Sequence, residues 1–192
     1  MTEPEAIQML QIQPLEFLRK NSLTPVRAVG VTGLHTFYMK DLAANITRPG
    51  KFLGNLSAHG GQRFKLCHNN ADGGTPFQAL HIDVKPSNVA IHAFPLTGIG
   101  ASLMFTTQLT GCCIVMIPGG GTWSVAHLQP TGETGEALRN RLKAQHFQVY
   151  GVGDYTGVGR AVLVGVREGG VWHFYNQMQD AYYNVKAAAK LS

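Results

Sequence analysis

Apolar and polar side chains alternate through much of the second half of the chain, and that period of two predicts strands. Residues 79–84, Ala79-Leu80-His81-Ile82-Asp83-Val84, read as one strand, turned by Pro86-Ser87-Asn88. Residues 89–94 read as a second and 101–109 as a third. In the third, Ala101, Leu103, Phe105, Thr107 and Leu109 share one face, and the more polar Ser102, Met104, Thr106 and Gln108 share the other. Residues 112–117 and 122–128 flank a turn, Pro118-Gly119-Gly120-Gly121. Residues 147–152, 160–167 and 171–177 complete the strands, with Glu168-Gly169-Gly170 joining the last two as a hairpin.

Helical spacing is confined to short stretches. Within an N-terminal helical segment, residues 1–24, the apolar positions Ile7, Leu10, Ile12, Leu15, Phe17 and Leu18 are interrupted by Pro14, which predicts one or two short helices. Thr134-Gly135-Glu136 reads as a cap and first turn, with Leu138 and Leu142 as the buried stripe of a helix ending near residue 145. A further short helix is expected over 37–45. A strand is expected over 26–31, with Val29 and Val31 on one face and Val26 and Ala28 on the other. Residues 50–75 read as loop, with Gly60-Gly61 and Gly73-Gly74 as turns, and the tail, 181–192, as helical or loose. No internal repeat or linker divides the chain. The expectation is a single α+β domain over 1–192, with a β-sandwich or twisted mixed β-sheet core and a few flanking helices.

Composition fits that picture. The chain has 192 residues, long enough for one substantial core, and its 23 glycines suit a turn-rich β fold. No apolar run reaches the ~18–20 residues of a membrane span, and residues 1–20 lack the basic start and apolar block of a secretory signal. The formal charge of +5 favours an acidic partner surface. No Lys/Arg-rich run or nucleic-acid-binding pattern accompanies it, so nucleic acid is not the expected partner. The cysteines are Cys67, Cys112 and Cys113; an odd count with two of them adjacent argues for reduced thiols, the state of the cytosol.

The candidate chemistry lies around Cys112. Gly111 precedes it and permits an unusual turn, and the cysteine opens a strand, which places its thiol at a sheet's end. With six residues on each side of the Pro118–Gly121 turn, an antiparallel pairing sets Cys112 opposite His127. An imidazole can take the thiol proton and later deliver it to a leaving group. Thr106 lies near the end of the preceding strand, where its hydroxyl or carbonyl could orient the ring. No Asp or Glu lies between Asp83 and Glu133, so a local third member must be a neutral oxygen. Backbone N–H groups about Gly111 and Cys113 could face a developing oxyanion.

Leu109-Thr110-Gly111-Cys112, with Thr106 upstream and His127 downstream, resembles the LSGC-type motif of the cysteine–histidine glutamine deamidases. These include the catalytic domain of cytotoxic necrotizing factor, Burkholderia lethal factor and the chemoreceptor glutamine deamidase. Thr110 stands where that motif has serine, Cys113 is an addition, and the resemblance spans roughly residues 79–128. It implies a β-sandwich-like toxin or effector domain that converts a glutamine of a target protein to glutamate through a thioester on Cys112. It implies a protein substrate, such as a host GTPase or translation factor, and no cofactor. It also implies a bacterial effector exported without a Sec signal and acting in host cytosol; without export, the expected place is the cytoplasm. The same thioester could serve a transglutaminase or a cysteine protease. The alternative from another class is a β-rich module without chemistry that binds an acidic partner.

Other features read as structure. Cys113 and Cys67 read as core filling. His81-x-Asp83 and Cys67-His68 lack zinc-site spacing, and no metal is expected. The Trp172-His173-Phe174-Tyr175 alternation reads as packing, with a site-mouth role for His173 or Tyr175 as the sharper option. The Gly119–Gly121 run lacks the Lys-Ser/Thr of a phosphate loop.

Overall fold

The computed structural model describes residues 1–26, 29–42, 61–70, 73–97, 100–155 and 157–191. Thr2 caps α1 (Glu3–Ile12) in a capping box with Glu5, and Pro14 starts α2 (Pro14–Lys20), where its missing N–H is not needed. The strands follow as β1 (Ser22–Thr24), β2 (Gly33–Asp41), β3 (Arg63–Cys67), β4 (Thr75–Ile82), β5 (Val84–Pro86), β6 (Phe94–Pro95), β7 (Leu103–Thr106), β8 (Cys113–Gly119) and β9 (Thr122–Gln129). Then come α3 (Gly135–Ala144), β10 (Gln148–Tyr150), β11 (Arg160–Glu168), β12 (Val171–Gln179) and β13 (Val185–Lys190). The fold is α+β with a twisted β core and flanking helices.

The strands form two sheets, one of eight strands ordered β1-β3-β2-β4-β7-β11-β12-β13 and one of five containing β10-β8-β9-β5, with β6 also on β9. Three apolar clusters glue the layers. Ala6, Leu10, Phe17 and Leu18 of the helices pack on Phe37, Phe64, Phe105 and Val164 of the large sheet. Its other face, with Leu80, Met104, Leu163 and Phe174, packs on Ile114, Met116 and Val125 of the small sheet. Leu138 and Leu142 of α3 then cover Cys113, Val115, Ala126 and Leu128 on the far side of the small sheet. The order of layers is therefore helices, large sheet, small sheet, helix. Buried Gln177 ties the first layer down: its Nε2 donates to Leu18 O and Asn21 O, and its Oε1 accepts from Leu23 N–H.

Several expectations need correction. Residues 37–41 lie in β2, because β3 and β4 pair with it on either side; 43–45 lie outside the described residues. Of the stretch expected as a strand over 26–31, Val26, Val29 and Val31 are not in a strand, and Ala28 lies outside the described residues; the strand here is β1, which pairs with β3. The expected loop over 50–75 contains β3, with 50–60, 71 and 72 outside the described residues. Only Phe94 of 89–94 is in a strand; Val89, Ala90 and His92 are exposed. The third strand shrinks to β7, in which both faces are buried, and Leu109 forms a lone bridge to Ala161. The tail is neither helical nor loose over Val185–Lys190, since β13 pairs with β12.

Residues 79–84 are in two sheets. β4 ends at Ile82 in the large sheet, β5 starts at Val84 in the small one, and Asp83 is the corner between them.

Candidate active site

The β8–β9 hairpin closes through Gly120 (φ +52°) and Gly121 (φ +86°), the two left-handed positions of a tight two-residue turn. Pro118 and Gly119, expected in the turn, instead pair with Trp123 and Thr122. The register therefore differs by two from that expected. Ile114, not Cys112, lies opposite His127, and Cys112 falls just before β8. A shift of two preserves the face of every side chain. Cys112 packs, half-buried, against the cluster between the sheets, as does Ile114, while His127 alternates onto that same side with Val125. Cys113 points the other way, under α3, and its Sγ lies 3.7 Å from Gly135 O.

Thr106 and His127 come together across the gap between the sheets. Thr106 Oγ1 donates to Ile82 O at 2.7 Å and lies 2.5 Å from His127 Nδ1. A hydroxyl has one proton. With that proton on Ile82 O, Thr106 must accept from His127, so Nδ1 carries the ring hydrogen and Nε2 is a bare lone pair. Nε2 is buried and has no hydrogen-bond partner among the described residues, the Cys112 thiol included. Thr107 Oγ1 stands 3.4 Å from Nδ1. Burial, reinforced by His81, pushes the ring down to about 3 against the pull of Asp83, so His127 is neutral near pH 7.

The thiols differ in setting. Burial pushes the Cys112 thiol up, opposed by a backbone hydrogen bond at Thr110. Burial pushes Cys113 up to about 11, as befits a core residue. A Cβ on Gly151 would sit 2.5 Å from Cys113 Sγ. Gly151→Ala should therefore lower stability by about 1–3 kcal/mol, and Cys113→Ala in the same chain should recover part of the loss, as read by urea unfolding.

The segment before β8 is clamped on two sides. Tyr155 OH donates to Cys112 O at 3.0 Å, and the Gly111 carbonyl packs so closely on Gly135, the first residue of α3, that no Cβ fits there. A Cβ on Gly111 itself would meet open space. Thr134 caps α3 through the Ala137 N–H, so the positive end of the helix dipole lies beside the Gly111–Cys113 backbone. The loop of Thr107, Gln108 and Thr110 forms one wall of an open cavity of about 890 Å³, large enough for a segment of a partner protein. A smaller cavity of about 330 Å³ touches His127 from the β5 side.

Asp83 and Lys85 lie beside His127 with no local sequence pattern to mark them. Both border the smaller cavity with His127, and Lys85 Nζ lies 3.1 Å from Asp83 Oδ2. His35 stands between the two motifs weighed as metal ligands, its ring 5.3 Å from that of His68 and 6.2 Å from that of His81. Among the described residues, however, no group of three or more His, Cys, Asp or Glu is placed to hold a metal ion. Trp172 and Phe174 enter the core between the sheets, and Tyr175 packs on the helix side of the large sheet, away from His127. No described helix is long and apolar enough to cross a membrane. Compared with known proteins, the chain matches no family model and no curated protein.

Proposed function

We propose that this chain is a cysteine-dependent deamidase that converts a glutamine of a target protein to glutamate. The observation that carries the reading is the Thr106–His127 hydrogen bond. It holds the ring in the tautomer whose Nε2 can take a proton, on the side of the small sheet where Cys112 lies. In the reaction His127 Nε2 removes the Cys112 proton, and the thiolate attacks the side-chain carboxamide carbon. Backbone N–H groups about Gly111–Cys113, beside the α3 terminus, face the oxyanion. The imidazolium returns its proton to the amide nitrogen and ammonia leaves. His127 then deprotonates water, hydroxide opens the thioester, and the thiolate departs from the new glutamate. The open cavity walled by Thr107, Gln108 and Thr110 adjoins the loop that leads to Cys112, although neither Cys112 nor His127 lines it, and the resemblance of the Leu109–Cys112 motif points to toxin or effector deamidases acting on host proteins.

The test is incubation with cytosolic extract and peptide mapping by mass spectrometry. Conversion of specific glutamines to glutamate by the parent chain, absent with Cys112→Ala, is the expected result; equal conversion by both sinks the assignment. Adding a primary amine separates transglutamination, and fragmentation of the target would mark a protease. Thr106→Val should lower kcat about 10²-fold with little change in KM, because the ring hydrogen loses its acceptor, while Thr106→Ser retains most of the rate.

One observation favours a module without chemistry: burial pushes Cys112 up and His127 down, both away from the ion-paired state. Thiols equally inert in the parent and His127→Ala proteins would support that second reading.

A further inference from the structure

We propose that Asp83 is a positioning residue for His127, its carboxylate sustaining the imidazolium that the ring becomes when Cys112 ionises. The inference rests on the deamidase reading above and adds a charged member to a site whose other ring partner, Thr106, is neutral. Its basis is where the chain changes sheets. Ile82 lies beside Thr106 in the large sheet and accepts its hydroxyl proton at 2.7 Å. Val84 lies beside His127 in the small sheet. Asp83 is the single residue between them, so the residues on either side of it flank both members of the Thr106–His127 pair. Asp83 is 6% exposed and borders the same cavity of about 330 Å³ as His127.

The carboxylate is firmly held. Its Oδ1 accepts the Gly30 N–H at 3.3 Å, and its own N–H donates to Thr32 Oγ1 at 3.0 Å. Among the described residues, four charged or titratable groups lie around it or border its cavity. Lys85, half in water, pairs with Oδ2 from β5; His81 Nε2 lies 3.8 Å from Oδ1 on β4; His127 stands on β9; His92 borders the cavity from the 89–93 segment. Burial pushes His81 down to about 4, so near pH 7 it brings no second cation and Lys85 is the ion-pair partner. Thr106 can accept a hydrogen bond, but it cannot balance a positive ring where water is scarce; a carboxylate nearby can. The pull of Asp83 on His127, against the push of burial, has the sign this role needs.

The test is the pH profile of Cys112 alkylation by iodoacetamide in the full chain, with Cys67 and Cys113 resolved by peptide mapping. Asp83→Asn should raise the profile's midpoint by about one pH unit, roughly a tenfold slower reaction at pH 7, and Asp83→Glu should restore it. Lys85→Met, at a half-exposed side chain, should move the midpoint the other way, and it keeps the test open if Asp83→Asn folds poorly. Asp83→Asn and Lys85→Met profiles that overlay the parent's overturn the proposal. If His127→Ala shifts the profile and these two do not, the thiol–imidazole reading survives and only the role of Asp83 falls. If His127→Ala also leaves it unmoved, the deamidase reading falls with it.

Discussion

His127→Ala should cut deamidation at least ~10³-fold while the chain stays folded. In the proposed reaction the ring would supply the base for thiol activation, the acid for ammonia departure and the base for thioester hydrolysis, so its loss would touch every step. The Cys112→Ala, His127→Ala double variant should be no slower than Cys112→Ala alone, because the two groups act as one unit. Folding should tolerate the change, since Thr106 Oγ1 keeps its bond to Ile82 O and a buried, unpartnered Nε2 is removed. The measurement is single-turnover kinetics on a target peptide, with circular dichroism to confirm the fold. Activity of His127→Ala within tenfold of the parent would remove the ring from the chemistry.

The protein should lose much of its stability between pH 7 and 4.5. Above pH ~6.5 His81 and His127 are neutral in both folded and unfolded chains, and stability does not depend on them. Below that, the unfolded chain binds two protons that the folded chain refuses until about pH 4 for His81 and about 3 for His127. Stability therefore falls with pH, by about 1.4 kcal/mol per unit for each ring. Two units below the unfolded value the loss approaches about 5 kcal/mol, comparable to the ~5–15 kcal/mol that holds a domain folded. The window separates this effect from carboxylates. Burial raises the Asp154 carboxyl, but hydrogen bonds from Arg139 and the Gly151 N–H outweigh it and hold it below the ordinary range, so its share is lost only at lower pH. The Tm should drop by roughly 10–20 °C between pH 7 and 4.5. A chain with both rings replaced by leucine should lose far less; an equal drop in both would show that the rings are not the cause.

What could be read from the sequence was mostly local. The Gly120-Gly121 turn, the cap at Thr134 and the alternation in β11 and β12 each depend on a few neighbouring residues, and they appear close to where the pattern puts them. Thr106, late in the strand before the cysteine, is expected to orient the His127 ring, and the two do meet in a hydrogen bond, although the cross-strand register expected for His127 does not hold. The register moved by two because Pro118 and Gly119 stay in the ladder, which composition alone does not reveal. β2 was misread because Phe37 and Met39 face the core while Tyr38 and Lys40 do not, a two-residue rhythm too short to outweigh helix-forming residue types until β3 and β4 pair with it. The run 89–94 differs for the opposite reason: it alternates like a strand, but among the described residues it has no strand partner except at Phe94. Asp83 stayed hidden as a neighbour of His127 because its place depends on a sheet change within what reads as one uninterrupted strand.

His127 is carried by one sheet and the hydroxyl that orients it by the other. Neither layer alone holds the oriented ring. During refolding, the far-ultraviolet signature of strands would return before the Thr106–His127 contact does, and any activity that depends on that contact would emerge only when the two halves dock and water is squeezed from between them.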